Sequence, residues 1–252
     1  MKSSIVREID DAILYPDDDG EPMSDNTVQF RWICTIVEGL EFLFRDRPDV
    51  FVAGNLLWYA QEGSQEVRTA PDAMVVFGRP KGERGSYIQW REGGVPPHVV
   101  FEVRSPGNTE LEMERKFHFY EDRGVEEYYF FDPKAGLLRA WIRREGRLEE
   151  VEDVSGWISP LLGIRFEPEG PEGLTLYHPD GSPFSTALEA REAALEAREA
   201  AGAAAGAGGV GGLKIDPGRP RASGSRPDRT ATEAARKHDR GMGRTEEQPR
   251  WT

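Results

Sequence analysis

The stretch HVVFEVRSPGN, at residues 98 to 108, places one carboxylate in the middle of a run of apolar side chains. Such a run is typical of a buried strand, and alternation along a strand puts Val100, Glu102 and Arg104 on one face. Burying a carboxylate costs free energy unless a positive charge meets it. Glu102 therefore indicates an ion pair inside the fold, or a bound cation.

An earlier stretch, APDAMVVF at residues 70 to 77, repeats this feature. Asp72 follows a proline and opens an apolar run, and the same alternation places it on one face with Met74 and Val76. If the two strands are neighbours, Asp72 and Glu102 point into one pocket. Two hard oxygen donors on rigid strands suit a Mg²⁺ ion that keeps several waters and takes a phosphate oxygen.

Each acid also has a structural interpretation. Asp72 after a proline is a common turn residue, so by itself it could simply end a turn. Glu102 by itself could pair with Arg104 or with an arginine across the sheet. The metal-site hypothesis rests on the two acids occurring together.

Composition limits the class of protein. The 252 residues, 38% of them hydrophobic, suffice for one domain of ordinary size plus a tail, since the apolar residues concentrate between positions 28 and 177. Cys34 is the single cysteine, and no signal-like apolar segment follows the N-terminus. We expect a cytoplasmic protein with no membrane span. The net charge of -13 argues against wholesale wrapping of nucleic acid, although it permits a local basic groove.

Periodicity predicts the order of the elements. A first helix follows Ser24, Asp25 or Asn26 as its N-cap. The segments DVFVAGNLLWYAQ and EVRTAPDAMVVFG predict an antiparallel hairpin, and a long loop precedes the strand of HVVFEVRS. A second helix, capped by Asn108 or Thr109, reaches about Arg123. Strands follow in GVEEYYFFDP, in the hairpin of LLRAWIRR and RLEEVE, and in SPLLGIRFEPE and LTLYHPDGSPF. The sum is an α/β domain with a mixed sheet flanked by helices.

The C-terminal part differs in composition from the rest. The sequence ALEAREA occurs twice, with Leu188 and Leu195 one heptad apart. Two heptads are few for a coiled coil, so a solvated helical extension is favoured, and a homodimer through this helix stays open. Beyond it, Gly and Ala give way to a tail richer in Lys and Arg than in Asp and Glu. We predict four parts: an N-terminal segment (1–24), an α/β domain (25–184), a heptad helix (185–201) and a disordered basic tail (202–252).

Several motifs occur together in one order: PD at 71–72, EVRS at 102–105, SPGN at 105–108, and RKFHFYEDRGVEEYYFFDP after them. Over roughly residues 25 to 180 the chain resembles the Uma-two-type family, a restriction-endonuclease-like branch of the PD-(D/E)XK nuclease superfamily. The resemblance implies a restriction-endonuclease-like fold, with a central mixed sheet flanked by helices. It also implies cleavage of DNA dependent on Mg²⁺ or Mn²⁺.

The same resemblance assigns site residues. Asp72 and Glu102 would be the metal ligands. The superfamily lysine normally lies two positions after the glutamate, where this chain has Arg104, and this branch takes a lysine from the next helix, which matches Lys116. Lys116 is three residues after Met113 and at the edge of the helix's buried side. We expect Lys116 to orient or deprotonate the attacking water and Arg104 to contact phosphate.

Two further positions could belong to the site. Family members often carry an acid where this chain has Asn55, and an amide is a poorer metal ligand. Glu38 on the first helix is either an additional ligand or an exposed helix glutamate. The alternative function is therefore a catalytically degenerate protein that binds DNA or a partner. Retention of Asp72, Glu102 and Lys116 favours the enzyme.

The long loop carries a separate hypothesis. Its cationic and aromatic residues could follow a nucleic-acid backbone and stack on bases, although loop arginines are usually just solvated. These residues are Arg79, Lys81, Arg84, Tyr87, Trp90 and Arg91.

Overall fold

A six-stranded mixed sheet forms the centre of the computed structural model, which describes residues 15–16, 26–170 and 173–207. The neighbouring strands Val99–Val103 and Glu127–Asp132 are parallel, and the other neighbours are antiparallel. In spatial order the strands are β1 (Val50–Ala53), β4 (Ala73–Phe77), β6 (Val99–Val103), β7 (Glu127–Asp132), β8 (Leu137–Arg144) and β9 (Arg147–Glu150).

Helices α1 (Thr27–Leu43) and α2 (Glu110–Asp122) cover opposite faces of this sheet. Alternation along the strands supplies one apolar set to each helix. On the first face Ile33, Ile36 and Leu40 of α1 pack with Val75, Val99 and Phe101. On the second face Met113 and Tyr120 of α2 pack with Met74, Val76 and Val100. The predicted α/β fold, a mixed sheet flanked by helices, is confirmed.

Local capping explains where the two helices begin. The side chain of Asn26 accepts hydrogen bonds of 2.9 Å from the backbone N–H groups of Val28 and Gln29. Thr109 and Glu112 form a reciprocal capping box at the start of α2. Of the residues that the sequence offered as caps, Asn26 and Thr109 are therefore the ones used.

The predicted hairpin forms, but both of its arms are broken. Strands β1 and β4 pair antiparallel, and Asn55 then turns the chain away with a φ of 50°. The N–H of Asn55 donates to the carbonyl of Pro71, 3.1 Å away. The two arms therefore leave the central sheet side by side, at Asn55 and Pro71. The remainders form β2 (Trp58–Tyr59) and β3 (Arg68–Thr69), which make a separate small sheet with β5 (Tyr87–Ile88), a strand inside the predicted long loop. The break places Asp72 at the start of β4.

The long loop is tied to the rest of the domain. Lys81 forms an ion pair of 2.8 Å with Glu41, and Arg84 forms one of 2.7 Å with Glu92. Arg84 also lies over the ring of Phe51, with 3.9 Å from its guanidinium carbon to the ring centre. Lys81 and Arg84 are thus both paired within the protein.

Part of the predicted N-terminal segment packs against the small sheet. The ring of Tyr15 lies 5.2 Å from that of Tyr59 and 5.0 Å from that of Trp90. The hydroxyl of Tyr59 donates to the carbonyl of Pro16. The remainder of residues 1–24 lies outside the described residues.

The C-terminal part of the domain adds a sheet and a helix. The sheet contains β10 (Trp157–Ile158), β11 (Arg165–Pro168) and β12 (Leu174–Tyr177), and the helix is α3 (Ala187–Ala207). Leu188 and Leu195 of α3 are exposed. None of the described helices combines the length and apolarity needed to cross a membrane. The tail expected from residue 202 onward lies, beyond Ala207, outside the described residues.

Candidate active site

Two buried carboxylates face each other where β4 begins and β6 ends. Ala73 of β4 pairs with Phe101 of antiparallel β6, so the next residues outward, Asp72 and Glu102, stand opposite each other. They are only 7% and 2% exposed. One carboxylate oxygen of Asp72 accepts a hydrogen bond of 2.6 Å from the N–H of Val103. The two acids thus occupy neighbouring strands at one end of the sheet.

Helix α2 brings a lysine and a tyrosine to the same carboxylate. Lys116 Nζ donates to Glu102 Oε2 at 2.7 Å, and the hydroxyl of Tyr120 donates to Glu102 Oε1. Met113 and Tyr120 anchor the buried side of the helix. Because Lys116 lies between them on that side, its ammonium reaches under the helix to the sheet. Both oxygens of Glu102 are therefore held.

The charges of this cluster favour a protonated lysine. Burial acts to lower the pKa of Lys116, but the carboxylates of Glu102 and Asp72 outweigh it and raise the pKa above the usual lysine value. Burial, together with the charge of Glu102, raises the pKa of Tyr120 well above its ordinary range. At neutral pH the lysine is therefore an ammonium and the tyrosine a hydroxyl, and both act as hydrogen-bond donors.

The donor set of this cluster fits a magnesium-type ion. Among the described residues no group of three or more Asp, Glu, His or Cys side chains could hold a metal. Mg²⁺ needs no such cage, since it commonly binds through one or two carboxylates and completes its shell with waters and phosphate oxygens. A third buried oxygen, Oε1 of Gln29, has no hydrogen-bond donor in the described part of the chain. The carboxylates of Asp72 and Glu102 are the residues that could hold the ion.

Comparison with known proteins identifies the family. A family model described as "Uma2: Putative restriction endonuclease" matches residues 20–169, more than half of the chain. The chain belongs to the Uma2 family. The resemblance inferred from the motifs is thereby confirmed.

A solved structure and the curated proteins were also compared. The structure titled as a putative nuclease belonging to DUF820 from Anabaena variabilis ATCC 29413 has a TM-score of 0.41 and 11% sequence identity. The similarity covers 58% of this chain and 81% of that one. No curated protein matches the chain.

Tyr120 is a member of this cluster that the sequence did not single out. Its contact with Glu102 is decided by how helix α2 packs on the sheet. One signal was available, because Lys116 and Tyr120 are four residues apart and so lie on one side of a helix. A lysine and a tyrosine at this spacing can reach the same acid.

Arg104 lies beside the carboxylate cluster and is bound by other acids. Its guanidinium contacts Glu110 at 2.5 Å and Asp132 at 3.4 Å. A cavity of about 310 Å³ adjoins it, lined also by Ser105 and Lys134. The side chain of Glu110 is 82% exposed, so this ion pair faces solvent and contributes little to stability. Arg104 could therefore exchange an exposed carboxylate for another anion.

Glu38 and Asn55 lie together in the structure. Both line a cavity of about 940 Å³ whose lining includes neither Asp72 nor Glu102. Glu38 is exposed on α1, and its carboxylate accepts a hydrogen bond of 2.5 Å from the N–H of Ala187 at the start of α3. Asn55 forms the positive-φ turn after β1. The structure thus gives Glu38 a helix-capping contact and Asn55 a turn.

Proposed function

We propose that this Uma2 protein is a metal-dependent endonuclease that hydrolyses phosphodiester bonds of DNA. The observation that carries the proposal is the buried cluster of Asp72, Glu102 and Lys116. An apolar core gains nothing from two carboxylates whose burial must be offset by a lysine, so a catalytic use explains their presence better than stability does. Membership of the family supports the same reaction class.

In this proposal Asp72 and Glu102 hold a Mg²⁺ or Mn²⁺ ion. When bound, such an ion acidifies a coordinated water and neutralises negative charge on the scissile phosphate. The two carboxylates are suited to hold it because the backbone N–H of Val103 fixes Asp72, and Tyr120 fixes one oxygen of Glu102. Neither acid has to be reoriented from solvent, which preserves the geometry between turnovers.

The lysine and the arginine act on the DNA and on water. Lys116 is an ammonium against Glu102, so in the metal-free protein it serves as a donor and a positive charge rather than as a base. We assign it the orientation of the attacking water and stabilisation of charge on the phosphate oxygens. Arg104 contacts a neighbouring phosphate by releasing its exposed partner Glu110.

Cleavage of circular DNA tests this function. Purified protein is incubated with supercoiled plasmid and with circular single-stranded DNA, in Mg²⁺, in Mn²⁺ and in a chelator. We expect nicking or linearisation that requires the metal, and a loss of roughly 100-fold or more in Asp72→Asn, the scale at which removing one preorganised electrostatic group acts.

The matched control is Glu127→Gln. Glu127 is also 2% exposed, but it is held by Tyr129, Ser159 and the N–H of Leu161 in a separate network. This variant should still cleave. A wild-type protein that binds no divalent metal at millimolar concentration and cuts neither substrate would overturn the enzyme and leave the non-catalytic DNA-binding or partner-binding alternative.

A further inference from the structure

Gln29 on α1 has a buried side-chain amide, of which only the nitrogen forms a hydrogen bond among the described residues. It is 5% exposed, and its Nε2 donates to the carbonyl oxygen of Val103 at 3.0 Å. Its Oε1 is buried without a hydrogen-bond donor among the described residues. The reverse orientation of the amide would set two acceptor oxygens against each other, so the contact with Val103 determines which end is the oxygen.

A buried acceptor without a donor is rare in folded proteins because its lost hydration is not replaced. A side chain as long as glutamine is also unnecessary merely to fill apolar space against the sheet. The cost of burying this oxygen is offset if a bound ligand supplies the missing hydrogen-bond donor. The location of the amide indicates which ligand.

Gln29 reaches the same backbone residue as the first carboxylate of the site. The N–H of Val103 donates to Asp72 Oδ2 at 2.6 Å, and the carbonyl of Val103 accepts from Gln29. In a strand, the N–H and C=O groups of one residue leave along the same edge. Gln29 and Asp72 therefore meet the same edge of β6, where β4 begins. Helix α1 approaches from the sheet face opposite to Lys116, so Gln29 reaches Val103, the residue that also holds Asp72, from the side that α2 does not cover.

We infer that Oε1 of Gln29 belongs to the metal site and accepts a hydrogen bond from a water bound to the cation. The inference rests on the proposed function, since the cation is the one that Asp72 and Glu102 would hold. Waters on Mg²⁺ or Mn²⁺ are strong donors, and an amide oxygen is a neutral acceptor that adds no charge to the two carboxylates. In the same amide, Nε2 keeps the Val103 carbonyl in place. One side chain thus combines a structural donor with an acceptor for the ligand.

Two substitutions separate these roles. Gln29→Met keeps the length of the side chain and removes both the donor and the acceptor. Gln29→Glu removes the amide donor but keeps an oxygen at the position of Oε1 and adds negative charge. The readout is Mn²⁺ binding to metal-free protein, followed by titration calorimetry, so that it does not depend on cleavage.

We expect Gln29→Met to weaken Mn²⁺ binding about 10-fold, as outer-sphere partners of metal sites do, and Gln29→Glu to bind Mn²⁺ at least as tightly as the wild type. The inference is overturned if Gln29→Met binds Mn²⁺ with unchanged affinity. It is also overturned if Gln29→Glu weakens binding as much as Gln29→Met, because the donor to Val103 would then be the only role.

Gln89→Met is the matched control. In the wild type, the amide oxygen of Gln89 accepts from Trp58 Nε1 and its nitrogen donates to the carbonyl of Gly94, each at 3.0 Å. This variant should lower the melting temperature and leave Mn²⁺ binding unchanged. If the wild type binds no Mn²⁺ at millimolar concentration, the proposed metal-dependent function fails and this inference with it. If the wild type binds Mn²⁺ and Gln29→Met binds it equally well, only the inference fails.

Discussion

At the scale of single residues, the lysine of the cluster stabilises a carboxylate that the core could not otherwise contain. Glu102 is 2% exposed, and the side chain of Lys116 is 27% exposed. The lysine therefore brings a partly solvated charge to a fully buried one. Asp72 adds a second negative charge near the same ammonium. These contacts predict that loss of the lysine destabilises the metal-free protein.

We predict that Lys116→Met lowers the free energy of unfolding of the metal-free protein by about 3 kcal/mol, because breaking a buried pair leaves an uncompensated charge. Mn²⁺ should recover much of this loss, since the cation replaces the missing positive charge beside Glu102 and Asp72. Its affinity should be intact or stronger without the competing ammonium.

Urea unfolding with and without Mn²⁺ measures both effects. A Lys116→Met protein as stable as the wild type in the absence of metal would contradict the assigned ion pair. A loss of stability that Mn²⁺ leaves unchanged would contradict the assigned cation position.

At the scale of elements, helix α2 fixes the geometry of the carboxylate cluster because its N-terminal end is determined locally. Asn108 accepts from the N–H of Ser105 and closes the turn after β6, and Thr109 and Glu112 then cap the helix. The path from Glu102 to Lys116 is thus a short turn and two helical turns. Such a connection leaves little freedom in where the ammonium lies.

We predict that Thr109→Ala lowers the free energy of unfolding by about 1 kcal/mol, the usual cost of losing an N-cap side chain. Because α2 packs Met113 and Tyr120 into the core, fraying of its first turn lowers the stability of the whole domain. Urea unfolding measures the loss.

Thr186→Ala is the comparison. Thr186 and Glu189 form the same reciprocal pair of hydrogen bonds at the start of α3. The side chains of α3 from residue 188 to residue 201 are exposed, so its cap should matter little to global unfolding. Equal losses in the two variants would show that α3 unfolds together with the core.

At the scale of the whole molecule, the core covers both faces of the central sheet and the sheet that follows it, with a smaller cluster at the β2–β3–β5 sheet. The largest cluster combines residues from α1, the central strands and strands β11 and β12. Helix α3 contributes none of the buried residues in any cluster formed by the described residues. Stability should therefore reside in the part of the chain before α3.

We predict that truncation after Ala201 leaves the melting temperature nearly unchanged. The residues removed have too little apolar surface to offset an ordering entropy of roughly 1 to 2 kcal/mol per residue. Differential scanning calorimetry of the full and truncated chains makes the comparison. A large fall in melting temperature would show that the removed residues dock on the domain. Both chains keep Leu188 and Leu195, so a dimer mass by light scattering in both would support the homodimer that the heptad pattern left open.

The sequence by itself determined the features that depend on local periodicity. The period of two along a strand placed Asp72 with Met74 and Glu102 with Val100, and the 3.6-residue repeat of the helix placed Lys116 on the buried side of α2. Helix caps and turns also depend on neighbouring residues, so the sequence limited each cap to a few candidate residues. The succession of strands along the chain followed from apolar runs and turn residues.

The tertiary structure alone decided the contacts between distant segments. Gln29 meets a carbonyl 74 positions away, and nothing in the residues around it indicates that partner. Arg104 was expected to contact phosphate, and only the tertiary structure shows that Glu110 and Asp132 bind its guanidinium. Such contacts depend on how α1, α2 and the strands pack, because a side chain's partners are chosen by three-dimensional proximity, and periodicity specifies only the face from which it departs.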